Sequence, residues 1–155
     1  MNSQLIFTAW NDYYKGIKTL GKKNSQENFI NYLENLVNLI KSNPSIKVKK
    51  EDSQKGFSGK CLKLENENCN LGCIVAVPIT ENLDEIKCSE NLQDIIKKNG
   101  NVILSNYYKF LFLKNDEPEK STAFTSFEEL ENKNSEMNLE CMEKANQLFE
   151  ELLSN

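Results

Sequence analysis

Five cysteines, at positions 61, 69, 73, 88 and 141, carry the chain's thiol chemistry. Zinc is held by four ligands converging tetrahedrally, and structural sites draw them from short Cys-x-x-Cys pairs. Here Cys61, Cys69, Cys73 and Cys88 follow one another with seven, three and fourteen intervening residues, and the chain contains no histidine. That spacing supplies no such pair, so no metal and no cofactor is expected. Free cysteines are usually small buried hydrophobes. Cys69, in a polar stretch beside Glu65 and Glu67, is the exception expected to reach solvent.

All 19 basic residues are lysines. Without histidine the commonest general base is missing, which excludes Ser-His-Asp and Cys-His catalysis within the chain. Without arginine there is no planar fork for bidentate binding of phosphate or guanine. A simple positive charge still suffices for phosphate contact. Lys47, Lys49, Lys50, Lys55 and Lys60, with Lys63 beyond them, make one such run, and Phe57 within it could stack a base. Glu51 and Asp52 interrupt the run, and the whole chain carries a net charge of −4. The Gly56–Lys60 segment, GFSGK, lacks the full phosphate-loop spacing and precedes a strand, not a helix, so it offers no helix N-terminus to an anion. The abundant carboxylates fall on wet helix faces, with no apolar setting to separate the pKa values of any pair.

Charge is unevenly divided. Residues 1–63 hold 11 lysines against 5 acids, and residues 64–155 hold 8 against 18. Such asymmetry marks either differently solvated surfaces or an interaction face. The first ten residues carry no basic n-region, and no apolar run approaches the roughly 20 residues needed to span a bilayer. With an odd number of cysteines, the expectation is an intracellular protein in a reducing compartment, cytoplasm or nucleus, away from the membrane.

The elements that must position these residues follow from periodicity. Apolar residues at three- and four-residue spacing predict helices over 3–20 (Ile6, Ala9, Trp10, Tyr13, Ile17) and 26–42 (Phe29, Ile30, Leu33, Leu36, Val37, Ile40). Gly21 and Asn24 or Ser25 are the expected stop and cap between them. The period then becomes two: strands are expected at Ile46–Lys49, 57–64 and 71–79. Pairing Leu62 with Cys73 and Leu64 with Leu71 would put Leu62, Leu64, Leu71, Cys73, Val75 and Val77 on one face and send Cys61 to the other. A helical turn near Leu83, a helix over 90–98 capped by Ser89, a short strand near 121–125, a capping box at Ser126–Glu129 and a last helix over 136–153 capped by Ser135 complete the reading.

The stretch 101–113, NVILSNYYKFLFL, reads as one long strand. Val102, Leu104, Tyr108, Phe110 and Phe112 would point one way, and Ile103, Tyr107, Leu111 and Leu113 the other. A strand apolar on both faces needs cover on both. The expectation is a single α+β domain over 1–155: a helical pair in 1–43, an antiparallel sheet of four to five strands in 45–125 with the short helix 90–98, and C-terminal helices in 126–153. Helices cover one sheet face, and Tyr107, Leu111 and Leu113, with Tyr14 of the first helix, are left to meet a protein partner or a second copy. The function expected is a non-enzymatic protein–protein interaction module, a small subunit or adaptor of a larger assembly. The alternatives are a nucleic-acid-binding accessory subunit using the lysine-rich strands, or an acidic specialised chaperone. The element order is similar to that of bacterial type III secretion chaperones, although the first helix and the long pre-terminal loop depart from it.

Overall fold

The computed structural model describes residues 3–20, 26–51, 57–67, 69–115 and 117–154. The caps expected at Gly21, Asn24 and Ser25, and the residues Asp52, Lys55 and Gly56, lie outside them. The chain is α+β. Helices α1 (Ser3–Leu20) and α2 (Gln26–Ile40) precede strands β1 (Ile46–Glu51), β2 (Lys60–Asn66) and β3 (Cys69–Ala76). Helices α3 (Leu83–Lys87) and α4 (Glu90–Asn99) lead to β4 (Asn101–Ser105), β5 (Lys109–Lys114) and β6 (Lys120–Ala123), and α5 (Phe127–Glu131) and α6 (Leu139–Leu153) end the chain. The caps follow local chemistry: Asn82 opens α3, Ser89 opens α4 and Ser126 opens α5, each accepting from backbone N–H groups of the first turn.

The six strands form one sheet in chain order. It is mixed, not antiparallel: β3 and β4 run parallel, and every other neighbouring pair is antiparallel. A parallel pair needs a crossover connection, and here α3 and α4 supply it. That connection decides how the sheet is covered. Helices α1, α2, α5 and α6 bury one face through Trp10, Leu33, Leu36, Phe149 and Leu152 against Leu62, Ile74, Ile103, Phe110 and Phe112. On the other face Leu83, Leu92 and Ile96 close over Cys73, Val75, Val77, Val102, Leu104 and Leu111.

Residues 101–113 are not one strand. They fold back as the β4–β5 hairpin, with Leu104 opposite Leu111 and Ser105 opposite Phe110. The turn is built by side chains: Ser105 Oγ accepts from Tyr107 N at 2.8 Å and Asn106 Oδ1 accepts from Lys109 N at 3.1 Å. Tyr107 takes φ +81° to close it. Two tyrosines of high β-propensity hide this turn in the sequence; the Ser-Asn pair is its signal.

The β2–β3 register also differs from expectation by one residue. Leu62 pairs with Ile74 and Lys63 with Cys73. Cys73, Val75 and Val77 therefore leave the face of Leu62 and Leu64 for the opposite one. Leu71 alone stays with Leu62 and Leu64, because the register shifts near Leu64 and Glu65 at an irregularity. Gly72, at φ +134°, makes that irregularity possible; a Cβ there would lie 2.3 Å from the Asn101 carbonyl oxygen. The last helix starts at Leu139, where Asn138 Oδ1 accepts from Cys141 N at 3.0 Å. Ser135, the expected cap, instead bonds the Tyr14 hydroxyl at 2.8 Å.

Candidate functional site

The four residues expected to meet a partner lie inside the chain or close to it. Tyr107 is fully buried, its ring stacked on Phe29 with centroids 5.0 Å apart, and its carbonyl accepts from Tyr13 OH at 2.6 Å. Leu111 is buried beneath α3 and α4, on the face opposite Tyr107, with Leu113 half-buried beside it. Tyr14 is buried against Phe124. The expectation of an open face here is corrected by the crossover: the two short helices provide the second cover that a partner was needed for.

The lysine run is split by strand alternation. Lys47 and Lys49 on β1 share with Lys63 of β2 the sheet face that carries Cys73 and Val75, open at β1 where Lys47 and Lys49 are exposed, whereas Lys50 and Lys60 lie on the α2 side. Lys50 pairs with Glu34 at 3.8 Å and with Asn31, and Lys60 pairs with Glu27 at 3.4 Å. On the open face Lys49 reaches Glu65 at 3.2 Å, and Lys63 lies 3.3 Å from Glu65 and 3.9 Å from Glu51. Lys49 and Lys63 hold the Glu65 carboxyl below the usual carboxylate range. Phe57, half-buried, lies over Gly59 and Val75 instead of standing free. The result is a lattice of alternating charge, not a positive stripe.

A site the sequence reading missed lies between the two terminal helices. The first turns of α1 and the outer side of α6 enclose a groove of about 550 Å³. Ile6, Phe7, Leu139 and Met142 give it an apolar lining, with Glu143 and Glu150 on its α6 wall. Phe7 is 41% exposed and Leu139 52%, two of the four large apolar side chains among the described residues that stand in solvent. Deeper in, Trp10 Nε1 donates to Asn146 Oδ1 at 2.8 Å, and Asn146 Nδ2 donates to Glu150 Oε1 at 3.0 Å. This chain of polar contacts fixes α1 against α6 and leaves the apolar lip above it open. Their spacing gives the reason: Phe7 extends the stripe of Trp10 and Tyr14, and Leu139 that of Met142 and Asn146, to helix ends where no further element covers them.

Among the described residues no group of three or more Cys, Asp or Glu side chains is placed to hold a metal ion, and no helix is long and apolar enough to cross a membrane. The sequence matches no family model and no curated protein. Among solved structures the chain is similar to one in a cryo-EM structure of the DrdV–DNA complex, with 12% identity and a TM-score of 0.62. The likeness covers 98% of this chain and 14% of the other, so this chain corresponds to a small part of a much longer polypeptide. At that identity the likeness is one of fold.

Proposed function

We propose that this chain is a non-enzymatic protein-interaction module, a small subunit or adaptor of a larger assembly, and that the α1–α6 groove is its docking site. The observation that carries the reading is the open apolar lining at Phe7 and Leu139 beside the Glu143 and Glu150 carboxylates. Apolar floors with one-signed walls suit an amphipathic helix laid in lengthwise. The occupant is therefore an amphipathic helix of a partner protein, apolar on one side and lysine- or arginine-flanked. A fold found as 14% of a longer chain is in keeping with a part that works attached to others.

The test uses the full chain and its Phe7→Asp variant as baits in native extract, with a photo-crosslinker placed at position 139. The expected result is a partner held by the wild type, at least tenfold depleted on Phe7→Asp, and crosslinked through a basic amphipathic helix. Identical captures with both baits would sink the reading. So would a sedimentation shift showing that Phe7 instead mediates a dimer of this chain.

The second reading is nucleic-acid binding through Lys47, Lys49 and Lys63, favoured by the DNA complex in which the similar fold occurs. Its weakness is the pairing of Lys49 and Lys63 with Glu51 and Glu65. Fluorescence anisotropy with a labelled duplex at low salt decides it. Binding that steepens as salt falls and is lost in a triple Lys→Ala variant supports it; unchanged anisotropy removes it.

A further inference from the structure

The shifted β2–β3 register has a chemical consequence. With Cys61 opposite Val75 and Lys63 opposite Cys73, the two cysteines become diagonal neighbours on one sheet face. Their exposure differs: Cys73 is 1% exposed, while Cys61 is only partly buried and packs at the edge of the cluster beneath α3 and α4. We infer that Cys61 is a peroxide-sensitive thiol and that Cys73 is its resolving partner across the β2–β3 ladder.

The surroundings suit the two roles. A peroxide-reactive cysteine needs thiolate character, access and a nearby second thiol. The adjacent Cys73 thiol, and then the Lys98 and Lys63 ammonium groups, favour the Cys61 thiolate, against burial and the Glu51 carboxylate. The Cys73 thiol is pushed strongly upward by its neighbour Cys61 and by burial. It stays protonated and out of reach of solvent oxidant until the Cys61 sulfur beside it is oxidised.

The steps balance. The Cys61 thiolate attacks one oxygen of hydrogen peroxide, the O–O bond breaks, and hydroxide leaves to be protonated as water. Cys61 is then a sulfenic acid. The Cys73 sulfur attacks the Cys61 sulfur, its proton leaves with the sulfenic hydroxyl as a second water, and the S–S bond forms. Two electrons pass from the sulfurs to the peroxide. Diagonal cross-strand residues stand about 7–8 Å apart, at or just beyond the span of a relaxed disulfide. Forming the bond therefore draws the strands together, and a thiol reductant reverses it readily.

The test treats the full chain with limiting hydrogen peroxide at neutral pH, blocks remaining thiols and maps peptides by mass spectrometry. Cys61 is expected to lose its free thiol several-fold faster than the exposed Cys69 and Cys88. It should appear in a dithiothreitol-reversible link to Cys73. Cys73→Ala also removes the neighbour that favours the thiolate, so Cys61 oxidises more slowly there, but its sulfenic acid persists and dimedone labels it. In Cys61→Ser, a near-isosteric change at a partly buried site, Cys73 stays reduced. Circular dichroism confirms that both variants are folded. Faster oxidation at Cys69 or Cys88, or loss of the Cys61 thiol with no link to Cys73, overturns the inference.

Discussion

Trp10 Nε1 donates to Asn146 Oδ1 across 2.8 Å, joining the first helix to the last over 136 positions of sequence. The indole is fully buried among Tyr13, Phe110, Phe124 and Phe149, with ring centroids 5.0–6.0 Å away. A buried N–H that loses its acceptor costs about 1–3 kcal/mol. Asn146→Ala should lower the unfolding free energy by that amount, read as a lower urea midpoint with the slope unchanged. Trp10, the sole tryptophan, reports the transition by fluorescence. Glu150→Gln keeps an acceptor for Asn146 and should cost much less.

Gly72 and Gly100 both have positive φ, yet their substitutions should differ. A Cβ on Gly72 meets the Asn101 carbonyl oxygen at 2.3 Å and Leu152 Cδ1 at 2.9 Å, whereas one on Gly100 meets nothing within 4 Å. Gly100→Ala carries only the left-handed penalty, about 1–2 kcal/mol. Gly72→Ala adds a backbone clash at the β3–β4 junction and should cost distinctly more, or prevent folding. Thermal denaturation of the two variants side by side checks the order; equal losses would refute it.

Tyr13 should resist ionisation while the chain is folded. Burial, and then the neighbouring Tyr107, push its hydroxyl well above the ordinary tyrosine value. Because the folded pKa is the higher, its contribution to stability is complete below about pH 10, the unfolded value, and declines as pH rises through that region and beyond. Spectrophotometric titration of wild type and Tyr13→Phe should give coincident tyrosinate curves until alkaline unfolding, and one extra tyrosinate in wild type after it. A wild-type excess before unfolding contradicts the prediction.

Glu151 ties the sheet edge to the last helix. It lies 2.9 Å from Lys120 on β6 and 3.4 Å from Lys114 on β5. Lys120, then Lys114, hold its carboxyl below the usual range. Such depressed carboxylates stabilise above their unfolded pKa, about 4.3, and lose the effect as pH falls through the lower folded value. Glu151→Gln should therefore lose about 0.5 kcal/mol at neutral pH, a size set by solvent screening of partly exposed pairs. The difference from wild type should shrink as pH falls from neutral toward 3, and shrink in high salt. A gap between urea midpoints that is the same at both pH values would count against the ion pair.

The helices were legible because their signals are local. Apolar stripes in α1, α2 and α6 and the caps Ser89 and Ser126 each depend on residues within a turn or two. The caps of α6 shows where local reading ends: Ser135 and Asn138 are both chemically fit, and Ser135 was drawn away by Tyr14, a residue 121 positions distant. The hairpin at Asn106 left a local trace, the Ser-Asn pair, masked by the two tyrosines after it, whereas the groove at Phe7 and Leu139 depends on which helices become neighbours.

The sequence by itself determined an α+β chain with a helical pair, a two-faced apolar segment and no histidine or arginine for the chemistry those residues perform. These are matters of composition and short-range period. Only the tertiary structure decided that the 101–113 segment turns back on itself, that α3 and α4 cover its second face, and that Cys61 and Cys73 share one face. The reason is the two-residue period of a strand: a single-residue slip between β2 and β3 reverses every side chain, and long-range packing, not local pattern, chooses the register.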